Sequence, residues 1–347
     1  MRFGVHLSMS EGPSRGAQIG CQALQIFCGN PRAWSKKPLE ADEVSAFREG
    51  VREAGLDPVV VHATYLINLA APDQRIWDLS VAAFIEELDR SQTLGAKYYV
   101  VHSGSHKGEG EDLGRKRIAE AIKKADRELP KRPEILLENT AGTKNSLGTT
   151  WKDLAILLDG AGAGRTGICM DTCHSLAAGY EIRTPDGVRR TLDELEADLG
   201  LARLRCLHIN DSKGALNSRI DRHDHIGAGA IGAAGFRAFF ADSRLWQLPA
   251  ILETPQDEPD DDHRDLWHAV ELACEAGAVS DAVLAGLPTV ELEALRDEEI
   301  AAAQAAAPKA AKPKSAPRRK PAPARKAAAA RVRMARRRTA PKKRKTR

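Results

Sequence analysis

Eight short apolar runs punctuate the first 277 residues, and a segment of different period follows most of them. The runs are RFGVHL from Arg2, ALQIFC from Ala23, PVVVHA from Pro58, KYYVVHS from Lys97, EILLENT from Glu134, TGICMDT from Thr166, RCLHIND from Arg205 and PAILETP from Pro249. Between them, stretches such as SVAAFIEELDRSQTLG, RKRIAEAIKKADREL, DLAILLDG and DLWHAVELACEAG set apolar residues three and four apart, the spacing of a helix that buries one face. Strands that are apolar almost throughout, separated by helices, predict a parallel sheet covered on its outer side. Eight such units favour a closed (β/α)8 barrel of the α/β class over an open doubly wound sheet, and no glycine-rich dinucleotide fingerprint follows the first run.

Six of the runs end in a polar side chain of one kind. Apolar residues lead directly into His62, His102, Glu138, Asp171, His208 and Glu253; the first run and the run from Ala23 are left out of this set. A barrel of this type carries its site at the carboxyl ends of its strands, so six side chains distant in sequence are expected to converge on one pocket. A lone strand-end histidine is most often a core or capping residue, but carboxylates buried together cost on the order of several kcal/mol each, and a bound cation is the usual compensation. His174, three residues past Asp171, and the pair Asp221 and His223 in DRHDHIG extend the candidate ligands to nine. Mixed histidine and carboxylate donors suit zinc, with manganese or iron as alternatives, and their number suggests a cluster of two or three ions. Clustered metals serve phosphoester chemistry above all. Cys173, between two of the donors, is left out because thiolates favour closed structural sites.

Composition divides the chain. Residues 301–347 carry 18 Lys and Arg and no acidic residue, leaving 34 basic and 48 acidic residues before them, so a body near −14 precedes a tail of +18. Ala, Pro and Lys recur in that tail without hydrophobic periodicity, and it is expected to be disordered and to serve either as a solvating appendage or as a contact to a polyanion, such as the phosphates of DNA. The organisation expected is a barrel domain over 1–277, a helical or linker extension over 278–307 and a basic tail over 308–347. Six cysteines lie mostly within apolar runs, which reads as reduced, buried thiols. Neither a signal peptide nor a membrane span is predicted, so a cytoplasmic, nucleoid-associated monomer is expected.

The segments HATYLINLA, VVHSGSH, LLENTAG, MDTCHSLAAGY, LHINDSK, DRHDHIG and ILETP resemble, in order and spacing from about Met1 to Gly277, the motifs of the endonuclease IV family of apurinic/apyrimidinic endonucleases, zinc enzymes built on a xylose isomerase-like TIM barrel. The resemblance implies three zinc ions, with manganese an option at one position. His62, His102 and Glu138 would hold the first, Glu138, Asp171, His208 and Glu253 the second, and His174, Asp221 and His223 the third. Glu138 and Glu253 would be catalytic, Glu138 by bridging two metals. The activity implied is hydrolysis of the phosphodiester 5′ of an abasic site in double-stranded DNA, leaving a 3′-hydroxyl and a 5′-deoxyribose phosphate, together with removal of blocking groups from 3′ ends. By the same resemblance Arg32, Tyr65 and Leu66 wedge into the duplex where the base is missing.

Ala228 stands where family members often carry an acidic residue, and His6 and His106 match no ligand position although they fall near the inferred pocket. Two other readings compete. A metal-dependent sugar isomerase or epimerase would use a related barrel with one or two ions. A non-enzymatic DNA-compacting protein would use only the tail. The Asp221 and His223 pair weighs against the first, and the full donor set against the second.

Overall fold

The computed structural model describes residues 1–162 and 164–288. Eight parallel strands close into a barrel: β1 (Arg2–Leu7), β2 (Ala23–Ile26), β3 (Val59–His62), β4 (Tyr98–His102), β5 (Glu134–Glu138), β6 (Thr166–Asp171), β7 (Leu204–His208) and, after a small antiparallel pair β8 (Asp211–Ser212) and β9 (His223–Asp224), β10 (Pro249–Leu252), which pairs with both β7 and β1. Every predicted strand is present, and the predicted closed barrel is the observed one.

The helices follow the spacing read from the sequence. The outer layer comprises α1 (Gly12–Ile19), α2 (Ala41–Glu53), α3 (Gln74–Leu94), α4 (Glu111–Glu128), α5 (Trp151–Ala161) and, after a short buried α6 (Thr172–Ala178) that follows β6 directly and carries His174, α7 (Pro185–Asp198), α8 (Gly232–Phe240) and α9 (Asp261–Glu275). In α3 the Asp73 carboxylate caps the start by accepting from the Ile76 N–H at 2.9 Å, and Gly95, at φ 82°, ends it in the left-handed conformation that glycine adopts without a steric cost. Its inner face, Ser80, Phe84, Glu87, Leu88 and Ser91, is buried against the barrel. A tenth helix, α10 (Asp281–Ala285), packs on α9 within the predicted extension; residues 289–307 of that extension and the basic tail lie outside the described residues.

Side chains of Ala23, Val60, Tyr98, Val100, Leu136, Cys169, Cys206 and Ile251 form an apolar cluster of their own, separate from the larger core between barrel and helices. Successive inward positions on a strand are two residues apart, so this cluster fixes what can face inward next. On β1 the equivalent position is Gly4, where a Cβ would fall 2.2 Å from the Ala23 carbonyl oxygen; only glycine lets β1 and β2 approach this closely. The cysteines Cys21, Cys28, Cys169, Cys173 and Cys206 are buried and unbonded, as the sequence suggests, and Cys274 is half-buried. Among the described residues no helix is long and apolar enough to cross a membrane.

Candidate metal centre

Two residues beyond the apolar cluster, the strands deliver the predicted donors. His62, Glu138, Asp171, His174 and His208 are buried, His102 and Glu253 less so, and Asp221 and His223 close the site from the β8–β9 loop region. Their ligand atoms gather in three overlapping groups, each with all atoms within 4.8 Å of one another: His62, His102 and Glu138; Glu138, Asp171, His208 and Glu253; and Asp171, His174 and His223. The first two are the expected sets. In the third Asp171 takes the place expected for Asp221, whose Oδ1 nevertheless lies 2.9 Å from His174 Nε2 and 3.8 Å from His223 Nε2.

Backbone bonds orient the rings. The Nδ1–H of His62 donates to the Ala63 carbonyl at 2.7 Å, that of His174 to Asn139 at 2.9 Å and that of His223 to Glu253 at 3.0 Å. Each bond fixes the tautomer and leaves the Nε2 lone pair turned inward, the usual support for a metal-binding histidine. The Nε2 atoms of His174 and His223 are buried and, despite the nearness of Asp221, make no hydrogen bond. The carboxylates are held as firmly. Asp171 accepts from the His174 N–H at 2.7 Å, capping α6, and from Asn210 Nδ2 at 2.7 Å, while Asn210 Oδ1 accepts from the Glu253 N–H at 2.8 Å.

Glu138 faces two ways, with Oε2 3.3 Å from His62 Nε2 and Oε1 3.1 Å from His208 Nδ1. Burial would raise its carboxyl, yet His102 and His208 hold it well below the usual range. Burial likewise pulls His208 down, but Glu253 and Glu138 push it up to about 10. A cavity of about 370 Å³ opens onto six of the donors, His62, His102, His174, Asp221, His223 and Glu253, and also touches His6, Phe27, Tyr65 and Thr254. The nine predicted donors are nitrogen and oxygen, with the Cys169 and Cys206 thiols also within 4.8 Å of His208; carboxylates balanced against imidazoles, and the inward Nε2 atoms of His174 and His223 without a hydrogen bond, fit a cluster of divalent cations.

Beside the cavity stand the expected wedge residues. Tyr65 is 66% exposed, its ring edge-on to Phe27 at 5.4 Å; Arg32 is exposed and Leu66 half-buried. The two loops that carry them are bonded to each other, Tyr65 N–H to the Pro31 carbonyl at 3.2 Å, and both are held by α3. Glu87 accepts from the Thr64 hydroxyl at 2.8 Å and the Tyr99 hydroxyl at 2.7 Å and pairs with Lys36 Nζ at 2.9 Å, all without solvent. Arg90 donates to the carbonyls of Cys28 and Lys37, each at 2.8 Å.

His6, expected near the pocket without being a ligand, is found there, while Gln25 and Asp211 escape the sequence reading. His6 on β1 and Gln25 on β2, the two strands left out of the donor set, both contact Glu253, at 3.4 and 2.6 Å. His106 instead shapes its own turn, its Nδ1 accepting from the N–H groups of Gly108 and Gly110. Asp211, fully buried, accepts backbone N–H bonds from Ser212, Gly227, Gly229, Ile231 and Gly232 and thereby moors the loop that follows His223. Ala228 sits exposed in that moored loop.

The chain has counterparts among known proteins. Residues 14–273 match the family model of the xylose isomerase-like TIM barrel. A probable endonuclease 4 of Chloroflexus aurantiacus is 46% identical over 263 residues, 74% of this chain and 92% of that protein. The chain belongs to the endonuclease IV family. Among solved structures, the endonuclease IV of Thermus thermophilus is 36% identical with a TM-score of 0.71, covering 79% of this chain and all of that one. A D-psicose 3-epimerase from Clostridium cellulolyticum, at 14% identity and a TM-score of 0.61 over 80% of this chain and 99% of that one, shares the fold alone.

Proposed function

We propose that this protein is a DNA repair endonuclease that hydrolyses the phosphodiester 5′ of an abasic site, leaving a 3′-hydroxyl and a 5′-deoxyribose phosphate, and that it clears blocked 3′ ends by the same chemistry. The observation that carries the reading is the gathering of nitrogen and oxygen donors at one barrel mouth, with the buried Nε2 atoms of His174 and His223 turned inward without a hydrogen bond. His62, His102 and Glu138 would hold one zinc, Glu138, Asp171, His208 and Glu253 a second, and His174, Asp221 and His223 a third. Zinc bound there supplies Lewis acidity toward phosphate oxygens and lowers the pKa of water to near neutrality.

The protein's own groups do the rest. Glu138, with one oxygen toward His62 and the other toward His208, has the geometry to serve two cations at once. Glu253, held at its backbone by Asn210 and at Oε1 by Gln25, keeps its second oxygen 3.2 Å from His208 Nδ1. Tyr65, Leu66 and Arg32, on loops braced by α3, stand ready to enter a duplex from beside the cavity. An abasic nucleotide has lost its pairing and most of its stacking, so displacing it costs less than the few kcal/mol, roughly, that an intact one requires. No base readout is then needed. The basic tail, on composition, would add sequence-independent affinity for phosphates, and removing residues 308–347 should flatten the salt dependence of binding.

The test is metal analysis coupled to cleavage of a duplex containing one abasic site. Close to three zinc ions per chain and loss of cleavage on exhaustive chelation are expected. A metal-free protein of full activity would overturn the mechanism, and turnover of a free ketose without DNA cleavage would favour the epimerase reading, which has only a shared fold behind it.

A further inference from the structure

Among the histidine donors, His208 is oriented differently from His62, His174 and His223; His102 also faces a carboxylate through Nδ1, 3.6 Å from Glu138 Oε2. His62, His174 and His223 commit Nδ1 to backbone carbonyls and offer Nε2, but His208 points Nδ1 at Glu138 Oε1 (3.1 Å) and Glu253 Oε2 (3.2 Å), with Nε2 directed to Gln25 Oε1 at 2.9 Å. Gln25 is fully buried on β2 and is the polar residue within an otherwise apolar run. A carboxylate can only accept, so the 2.6 Å contact with Glu253 Oε1 must be made by the Gln25 NH2 group, which settles the orientation of the amide. Its oxygen therefore faces His208. An amide oxygen can only accept, so His208 must carry a proton on Nε2, and Nδ1 is left to face the carboxylates. The second N–H of the same amide lies 3.0 Å from His6 Nδ1 and makes that nitrogen an acceptor as well.

We propose that Gln25 is a positioning residue that fixes the tautomer of His208, and with it the nitrogen through which His208 meets a cation, by passing on the polarity of Glu253. The inference rests on the zinc reading above. It assigns a role to a residue outside the donor set, and it makes His208 a ligand through Nδ1 while His62, His174 and His223 act through Nε2. Outer groups that orient a metal-ligating histidine typically govern metal affinity by 10- to 100-fold, roughly, when removed.

The zinc-loaded protein, labelled with 15N at histidine, reports the ring nitrogens directly. His208 should show a protonated Nε2 and a zinc-bound Nδ1. In Gln25→Met, which keeps length and volume but neither accepts nor donates strongly, that signature should be lost and zinc should be released to a competing chelator about 10- to 100-fold more readily. Gln25→Glu keeps an acceptor for His208 and should preserve its nitrogen pattern while weakening zinc retention, because it sets a second carboxylate against Glu253. A wild-type His208 bound through Nε2 overturns the proposal by itself, whether or not the variants fold. So does a Gln25→Met protein with wild-type retention and nitrogen shifts. A wild-type protein that takes up no zinc would instead refute the reading on which the proposal depends.

Discussion

Two tiers of the barrel interior are made by the same strands and differ in everything but geometry. The lower tier contains Val60, Val100, Leu136, Cys169, Cys206 and Ile251; two residues further along each strand stand His62, His102, Glu138, Asp171, His208 and Glu253. Both tiers point inward because side chains two apart share a face of a strand. The lower tier is held by removal of apolar area from water, which needs no partner of particular chemistry. The upper tier is held only because every carboxylate meets an imidazole, an amide or a backbone N–H, and an unmatched charge at that depth costs several kcal/mol, roughly. Stability and chemistry are thus separated by about 7 Å of chain, two residues' rise.

That separation can be attacked from either side. The largest effect is expected at Glu138: Glu138→Gln keeps volume but removes the charge that faces both His62 and His208, so turnover on an abasic duplex should fall by two orders of magnitude or more, approximately, while DNA still binds. Near-normal turnover in a single-turnover assay would end the bridging role. One tier down, Leu136→Ala opens a cavity and should cost about 2–5 kcal/mol in a denaturant titration, yet the protein that remains folded should keep its metal and its turnover. Loss of metal at full folding would mean that the tiers are not independent.

Acid and base should act with opposite sign on the metal-free and loaded forms. His208, pushed up to about 10 from a usual 6.5, stabilises the metal-free protein fully below about pH 6.5, and this contribution drains away as the pH rises toward 10. Glu138, held well below its usual range, contributes above about pH 4.5, a contribution lost on further acidification. The metal-free protein should therefore melt highest in mildly acidic solution. Zinc takes the place of those protons, so its stabilisation should grow as the pH rises. Melting curves from about pH 5 to 9 with and without chelator decide; parallel trends would count against the charge balance described. The smallest effect belongs to the rim. Tyr65→Ala, at an exposed position, should leave stability within about 0.5 kcal/mol and metal content unchanged, and should show only in a reduced preference for abasic over intact duplex.

The tier boundary is also where the sequence is legible. Strand ends announce six donors because a histidine or acidic residue after an apolar run has no bland explanation when repeated at one level. Gln25 carries the same two-residue step from Ala23, but a neutral amide inside ALQIFC, with apolar residues continuing beyond it, does not mark a strand end. Its signal is the single polar residue on an otherwise apolar strand. Glu87 left a similar trace, a charge on the helical face that buries Ser80, Phe84 and Ser91. Asp211 left none, because four of the amides it gathers lie 16 to 21 residues away and meet only when the loop has folded.

The grip of α3 on the two exposed loops bears on how such an enzyme could be rebuilt. Because Glu87 and Arg90 brace both the segment around Lys36 and the segment around Thr64, those loops are not modules that can be exchanged by cutting at their ends. Transplanted into a foreign barrel, the loop from Cys28 to Lys37 would bring a lysine whose ammonium is buried and would find no carboxylate waiting for it, a mismatch worth about 3–5 kcal/mol. The smallest portable part is a set drawn from four places in the chain: the two loops, Tyr99 on β4, and the turn of α3 that carries Glu87 and Arg90.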